Sequence, residues 1–148
     1  MVRHGETEWN VVGRIQGHSD IPLSQNGRDQ AHAVARRLTE APIDVGYCSD
    51  LSRAGETASI IIGDRDIPLH ATPELRERDY GVFEGLTVAE RKDRYPELFA
   101  SSLVKDLDFA PTGGESPRAT SVRMKAFVAG LRARHPDETV LIVGHGGS

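Results

Sequence analysis

Two short apolar runs, each stopping at a His-Gly pair, limit this chain to few folds. One is Met1-Val2 running into Arg3-His4-Gly5; the other is Thr139–Val143 running into Gly144-His145-Gly146. The second run is apolar and β-branched, the pattern of a strand buried on both faces. Such strands belong to sheets covered by helices, and ligands gather outside the carboxyl ends of their strands. Two histidines just past two strand ends therefore converge on one pocket. Arg3, beside the first of them, adds a permanent cation with a planar fork of donors.

The segments between these runs alternate. Ser24 is a good N-cap, and Ala31, Val34, Ala35 and Leu38 follow at helical spacing, a helix that Pro42 closes. Val45–Cys48 reads as a short strand ending at Ser49-Asp50. Ala54, Thr57, Ala58, Ile61 and Ile62 form another helical stripe, ended by Gly63. Leu69–Ala71 suits a short strand, and 74–85 a loop with a function to explain. Val88–Phe99 reads as a helix interrupted at Pro96, and 106–115 as loop. Ser116-Pro117 starts a helix carrying Met124, Phe127, Val128 and Leu131. Strands alternating with helices argue for one α/β domain with a largely parallel sheet.

The 148 residues are enough for one domain with a real core, taken as 1–148. A net charge of −4 argues against nucleic acid as the main partner. Cys48 stands alone, which removes any internal disulfide framework and points to a reducing, cytoplasmic setting. No apolar run approaches the ~20 residues that span a bilayer, so no membrane partner is expected. The first residues hold Arg3, His4 and Glu6 and do not make a signal peptide. Both ends read as cut: Met1 and Val2 are short for a first strand, and Ser148 would suit a helix N-cap with no helix after it.

Chemistry is carried by a few positions. A neutral His4 can attack phosphorus through one ring nitrogen while the other donates to a backbone carbonyl. Neighbouring cations favour its neutral form, and Gly5 would let a ligand approach closely. Arg3 and Arg53 are candidate phosphate clamps; a cation at the helix start occupied by Arg53 is best explained by a compensating anion. Asn10, Gln16 and Gly17 lie on the loop 10–17, whose amides can bond phosphate oxygens, although plain turn chemistry is nearly as good a reading. A general acid for the leaving alkoxide could be Glu77, Glu74 or Glu84, and spacing does not choose among them. The six histidines show no metal-ligand spacing, so no metal and no cofactor is expected. Cys48 reads as a small buried hydrophobe rather than a nucleophile. Ser148 lacks the context of a nucleophile elbow.

These residues form a set that resembles the histidine phosphatase superfamily, in its phosphoglycerate-mutase-like branch. The matching motifs are Arg3-His4-Gly5-Glu6-Thr7-Glu8-Trp9-Asn10; Gln16-Gly17 with Asp20 and Pro22-Leu23-Ser24; Ser49-Asp50-Leu51-Ser52-Arg53-Ala54 with Thr57-Ala58; Leu75-Arg76-Glu77 with Gly81 and Glu84-Gly85; Gly114-Glu115-Ser116; and Val143-Gly144-His145-Gly146. The resemblance implies a three-layer sandwich, helices on both faces of a largely parallel sheet, with a further helix and strand beyond the second histidine in relatives. It implies that His4 is the phosphorylated residue, that Arg3, Arg53 and His145 bind phosphate, and that Glu77 donates the proton. Asn10, Gln16, Gly17 and Gly146 would line the phosphate or substrate pocket.

The implied reaction is metal-independent hydrolysis of a small phosphorylated metabolite through a phosphohistidine. Residues 86–112 are short and lack an adjacent arginine pair, which favours a broad-specificity or α-ribazole type of phosphatase. Phosphoglycerate mutase, an isomerase, is the second reading. A truncated, inactive chain that binds phosphate or a partner is a third. A homo-oligomer is left open.

Overall fold

The strand patterns assemble into a four-stranded parallel sheet in the computed structural model, which describes residues 1–103 and 106–146. The strands are β1 (Val2–Arg3), β2 (Val45–Ser49), β3 (Leu69–Thr72) and β4 (Val140–Gly144), in the spatial order β1-β4-β2-β3. The first and last strands in sequence are thus neighbours in space. Arg3 is opposite Gly144 and Cys48 opposite Val143, so His4, His145 and the Ser49-Asp50 turn emerge together at one end of the sheet.

Helices cover both faces. Among the described residues, α1 (Glu8–Val11) and α2 (Gln25–Arg37) precede β2, and α3 (Ser52–Ile62) follows it. Next come α4 (Val88–Arg94), α5 (Pro96–Leu103) and α6 (Pro117–Arg134). Side chains of a strand alternate between faces. Cys48, Leu141 and Val143 point to α3 and pack with its Ala54, Ala58, Ile61 and Ile62, while Val34 and Leu38 bring α2 on top. Tyr47 points the other way, and its ring meets Phe127 of α6 edge-on with centroids 5.8 Å apart. The result is a three-layer α/β sandwich. Each fully buried aliphatic side chain in it contributes about 1.5–3 kcal/mol.

Local signals account for most boundaries. Ser24 caps α2 by accepting from Gly27 N, and Ser116 caps α6 by accepting from Ala119 N ahead of Pro117. The Pro96 interruption separates two helices, because a proline inside a helix removes a donor and clashes with the preceding turn. Two expectations are corrected. The helix after Ser24 ends at Arg37 with Leu38 as its cap, before Pro42. The start of the 10–17 loop is helical: Thr7 and Asn10 form a reciprocal capping box around α1. Cys48 is core, and burial pushes its thiol up to about 11. Gly147 and Ser148, including the expected cap at Ser148, lie outside the described residues. None of the described helices is long and apolar enough to cross a membrane.

Candidate active site

The register of β1 against β4 sets the site. His4 N donates to Gly144 O at 3.0 Å, which continues the β1–β4 ladder by one residue. That step brings the two imidazoles to a centroid separation of 5.0 Å, tilted by 59°. Both are buried, His4 7% and His145 4% exposed.

His4 Nδ1 donates to Gly5 O at 2.6 Å, since a carbonyl can only accept. The other nitrogen, Nε2, therefore carries the lone pair in neutral His4. Burial is the main reason His4 is held down to about 4; Arg53 and Arg3 act in the same sense, and the Gly5 carbonyl bond opposes them. His145 is depressed well below the ordinary histidine range, first by burial and then by Arg53, His4 and Arg3. Both rings are neutral near pH 7.

A pocket of about 170 Å³ is lined by Arg3, His4, Asn10, Gln16, Gly17, Arg53 and Glu77, together with Arg14, Ile15 and Tyr80. His145 borders it through His4, and Gly146 through Arg3, whose Nε would lie 3.1 Å from a Cβ at position 146. Thr7 Oγ1 lies 2.9 Å from Gln16 Oε1 and 3.0 Å from Asn10 Oδ1. With the oxygen of each amide facing Thr7, the NH₂ donor is the end each side chain has left for an anion.

Arg53, the cation read at the start of α3, is buried inside the site. It is 0% exposed. Its Nη1 donates to Ser19 O and its Nη2 to Gly17 O, both at 2.7 Å. Its buried Nε makes no hydrogen bond within the described protein. Nearly all buried donors find a partner, whether protein, ordered water or a bound ion. The start of α3 is itself satisfied: Asp20 Oδ1 accepts from Ser52 N and from Ser52 Oγ, each at 2.7 Å.

The role expected for Gly5 is also corrected. A Cβ there would run into the backbone of Gly27 in the first turn of α2, not into a ligand site. Gly5 is glycine because a loop and a helix touch backbone to backbone, and Gly27 is glycine for the same reason against Glu6.

The three carboxylates separate clearly. Glu74 is exposed and accepts from Thr72 Oγ1. Glu84 is engaged on both oxygens by backbone and hydroxyl donors of residues 18, 19 and 80. Glu77 lines the pocket, and its Oε1 accepts from Arg78 N at 2.9 Å. Its carbonyl is held by His18 Nε2 at 2.9 Å and by Arg123 Nη2 at 3.4 Å. Among the described residues no group of three His, Cys, Asp or Glu side chains is placed to hold a metal ion.

Sequence reasoning missed several supports of this site. Thr7 orients the two amides, His18 and Arg123 hold the loop that carries Glu77, and Asp20 accepts from Ser52 N at the start of α3. Thr7 had a readable signal, a hydroxyl three residues before a side-chain acceptor. Arg123 had none, because its contacts to the carbonyls of Glu74 and Arg76 exist only when α6 lies against that loop.

The model of the histidine phosphatase superfamily (branch 1) matches residues 1–148. The chain is 37% identical over 147 residues to an adenosylcobalamin/α-ribazole phosphatase of Salmonella typhimurium, covering 99% of this chain and 73% of that one. It is also 37% identical to phosphoserine phosphatase 1 of Hydrogenobacter thermophilus, covering 98% and 69%. The solved structure of Bacillus stearothermophilus YhfR superposes with a TM-score of 0.92 at 39% identity, over 99% of this chain and 72% of that one. A phosphoglycerate mutase of Gloeobacter violaceus is among the relatives as well. By motif order, by fold and by these likenesses, the chain belongs to the histidine phosphatase superfamily.

Proposed function

We propose that the chain hydrolyses a small phosphomonoester by two in-line transfers through a phosphohistidine on His4. The observation that carries this reading is the His4 Nδ1 bond to Gly5 O, which leaves Nε2 as the nucleophile in a pocket of cationic and amide donors. Nε2 attacks phosphorus as the ester P–O bond breaks, and Glu77 passes a proton to the leaving alkoxide. The Glu77 carboxylate then takes a proton from water as its oxygen attacks phosphorus, and the N–P bond breaks to release phosphate. Arg3 and Arg53 stabilise the equatorial oxygens in both steps, the task that metal ions perform in other phosphoryl transfers. His145, neutral beside His4, contributes a ring donor to the same oxygens, and Asn10, Gln16, Gly17 and Gly146 complete the cradle.

Two features favour a phosphatase over a mutase. Arg14, a cation that could hold a second acidic group of the substrate, is already spent: it pairs bidentately with Glu90 at 2.6 and 3.1 Å and donates to Gly85 O at 2.5 Å. Beyond Tyr80, which lines both spaces, a second cavity of about 440 Å³ is walled by Phe83, Leu107 and Phe109 with Arg78 and Arg91. It suits a leaving group with an apolar ring and a few acceptors, in keeping with a relative named for α-ribazole phosphate. We take residues 1–148 as one catalytic domain working in the cytoplasm.

The test is a labelling experiment with a ³²P-phosphomonoester. Acid-labile label appears on His4 during turnover, and both label and turnover vanish in His4→Ala. Retained turnover by that variant would overturn the mechanism. Anion binding with no label in the unmodified chain would favour the inactive binding chain, and interconversion of phosphoglycerates in a parallel assay would favour the mutase.

A further inference from the structure

We propose that Glu84 is a positioning residue for the phosphoryl transfer: its carboxylate clamps the turn 17–19 against the acid loop and so aims the Arg53 guanidinium. The inference rests on the reading of Arg53 as a phosphate ligand.

The geometry is unusually complete for a side chain outside the reacting centre. Glu84 Oε1 accepts from His18 N at 2.7 Å and from Tyr80 N at 3.2 Å. Glu84 Oε2 accepts from Ser19 N at 2.8 Å and from Ser19 Oγ at 2.6 Å. Bonds to an ionised acceptor are about twice as strong as neutral ones, and here they converge from two separate loops. Gly17, with φ of +54°, lies so close that a Cβ would collide with the Glu84 carboxylate.

The clamped turn is the one that holds Arg53. Its Gly17 and Ser19 carbonyls take Nη2 and Nη1, which fixes the guanidinium plane and leaves Nε as the donor without a protein partner. The same turn reaches the acid: His18, whose N–H is on Glu84, uses Nε2 on the carbonyl of Glu77. A carboxylate that touches no reacting atom thereby sets the distance between the cation that binds phosphate and the loop that carries the acid. Small misplacements of such groups cost large factors in rate.

Glu84→Gln tests this, because it keeps the shape and turns an amide NH₂ toward backbone N–H donors. We expect kcat/KM for a small phosphomonoester to fall about 30-fold, and the inhibition constant of inorganic phosphate to rise about 10-fold. A residue acting through Arg53 must show non-additivity, so in an Arg53→Lys background Glu84→Gln costs less than about threefold. The same factor in both backgrounds, or values within twofold of the unmodified chain, would overturn the clamp. If Arg53→Lys alone leaves phosphate affinity unchanged, the reading of Arg53 fails instead, which separates the two ideas. Should Glu84→Gln not fold, Ser19→Ala removes one hydroxyl donor; phosphate affinity falling about threefold supports the clamp, and no change refutes it.

Discussion

Lowering the pH of the unliganded protein from 7 to 5 sets its two buried imidazoles against the unfolded chain. His4 has an ordinary value of 6.5 and is held down to about 4. At pH 5 an unfolded chain has protonated its histidines almost fully, while folded His4 is still about nine-tenths neutral. A depressed value means the folded state binds fewer protons, so stability present above 6.5 is lost as the pH falls toward 4. Integrated from pH 7 to pH 5, His4 alone accounts for about 2 kcal/mol. His145, depressed further by burial and by Arg53, brings the pair to about 4 kcal/mol, a large part of a typical domain's stability. Urea unfolding at pH 7, 6 and 5 measures the loss, and His4→Asn is expected to remove about half of it. Saturating phosphate shrinks it as well, because a bound anion favours the protonated rings and binds only the folded state. An imidazole proton resonance of His4 that titrates near 6.5, or an unchanged loss in His4→Asn, would refute the reasoning.

Glu77→Gln is expected to slow poor leaving groups by about 10²–10³-fold and activated aryl phosphates far less, because only the former need the proton; equal losses across a leaving-group series would count against Glu77 as acid. Ser24→Ala is expected to cost about 1–2 kcal/mol in urea unfolding, since the Ser24 hydroxyl accepts from Gly27 N at 3.1 Å and donates to Glu6 Oε1 at 3.0 Å. An unchanged midpoint would show that the α2 start is held some other way.

Much of the fold was legible because its signals are local. Ser24, Ser116 with Pro117, Gly63 and Pro96 each act on their own turn of chain, and each marks a boundary where expected. The helical turn at Glu8–Val11 was missed although Thr7 and Asn10 carry a cap signal, because Asn10 stands where the usual capping box has Glu or Gln. Gly5 was misread for a related reason. Its requirement comes from Gly27, a contact between segments that periodicity does not connect.

The sequence alone determined the family and placed the candidate site: a histidine at each of two strand ends, arginine beside one of them, and motifs specific enough to name the superfamily. It determined the α/β class too, since β-branched apolar runs and helical stripes alternate along the chain. The tertiary structure decided everything that depends on distance between segments. The β1–β4 register brings His4 and His145 together, the carbonyls of Gly17 and Ser19 orient a buried Arg53, and the packing of loop on loop distinguishes Glu77 from Glu84. Three carboxylates in one loop have the same intrinsic acidity and the same local sequence signature. What separates them is which donors the fold brings to each, and for Glu84 the donors of His18 and Ser19 come from more than sixty residues away.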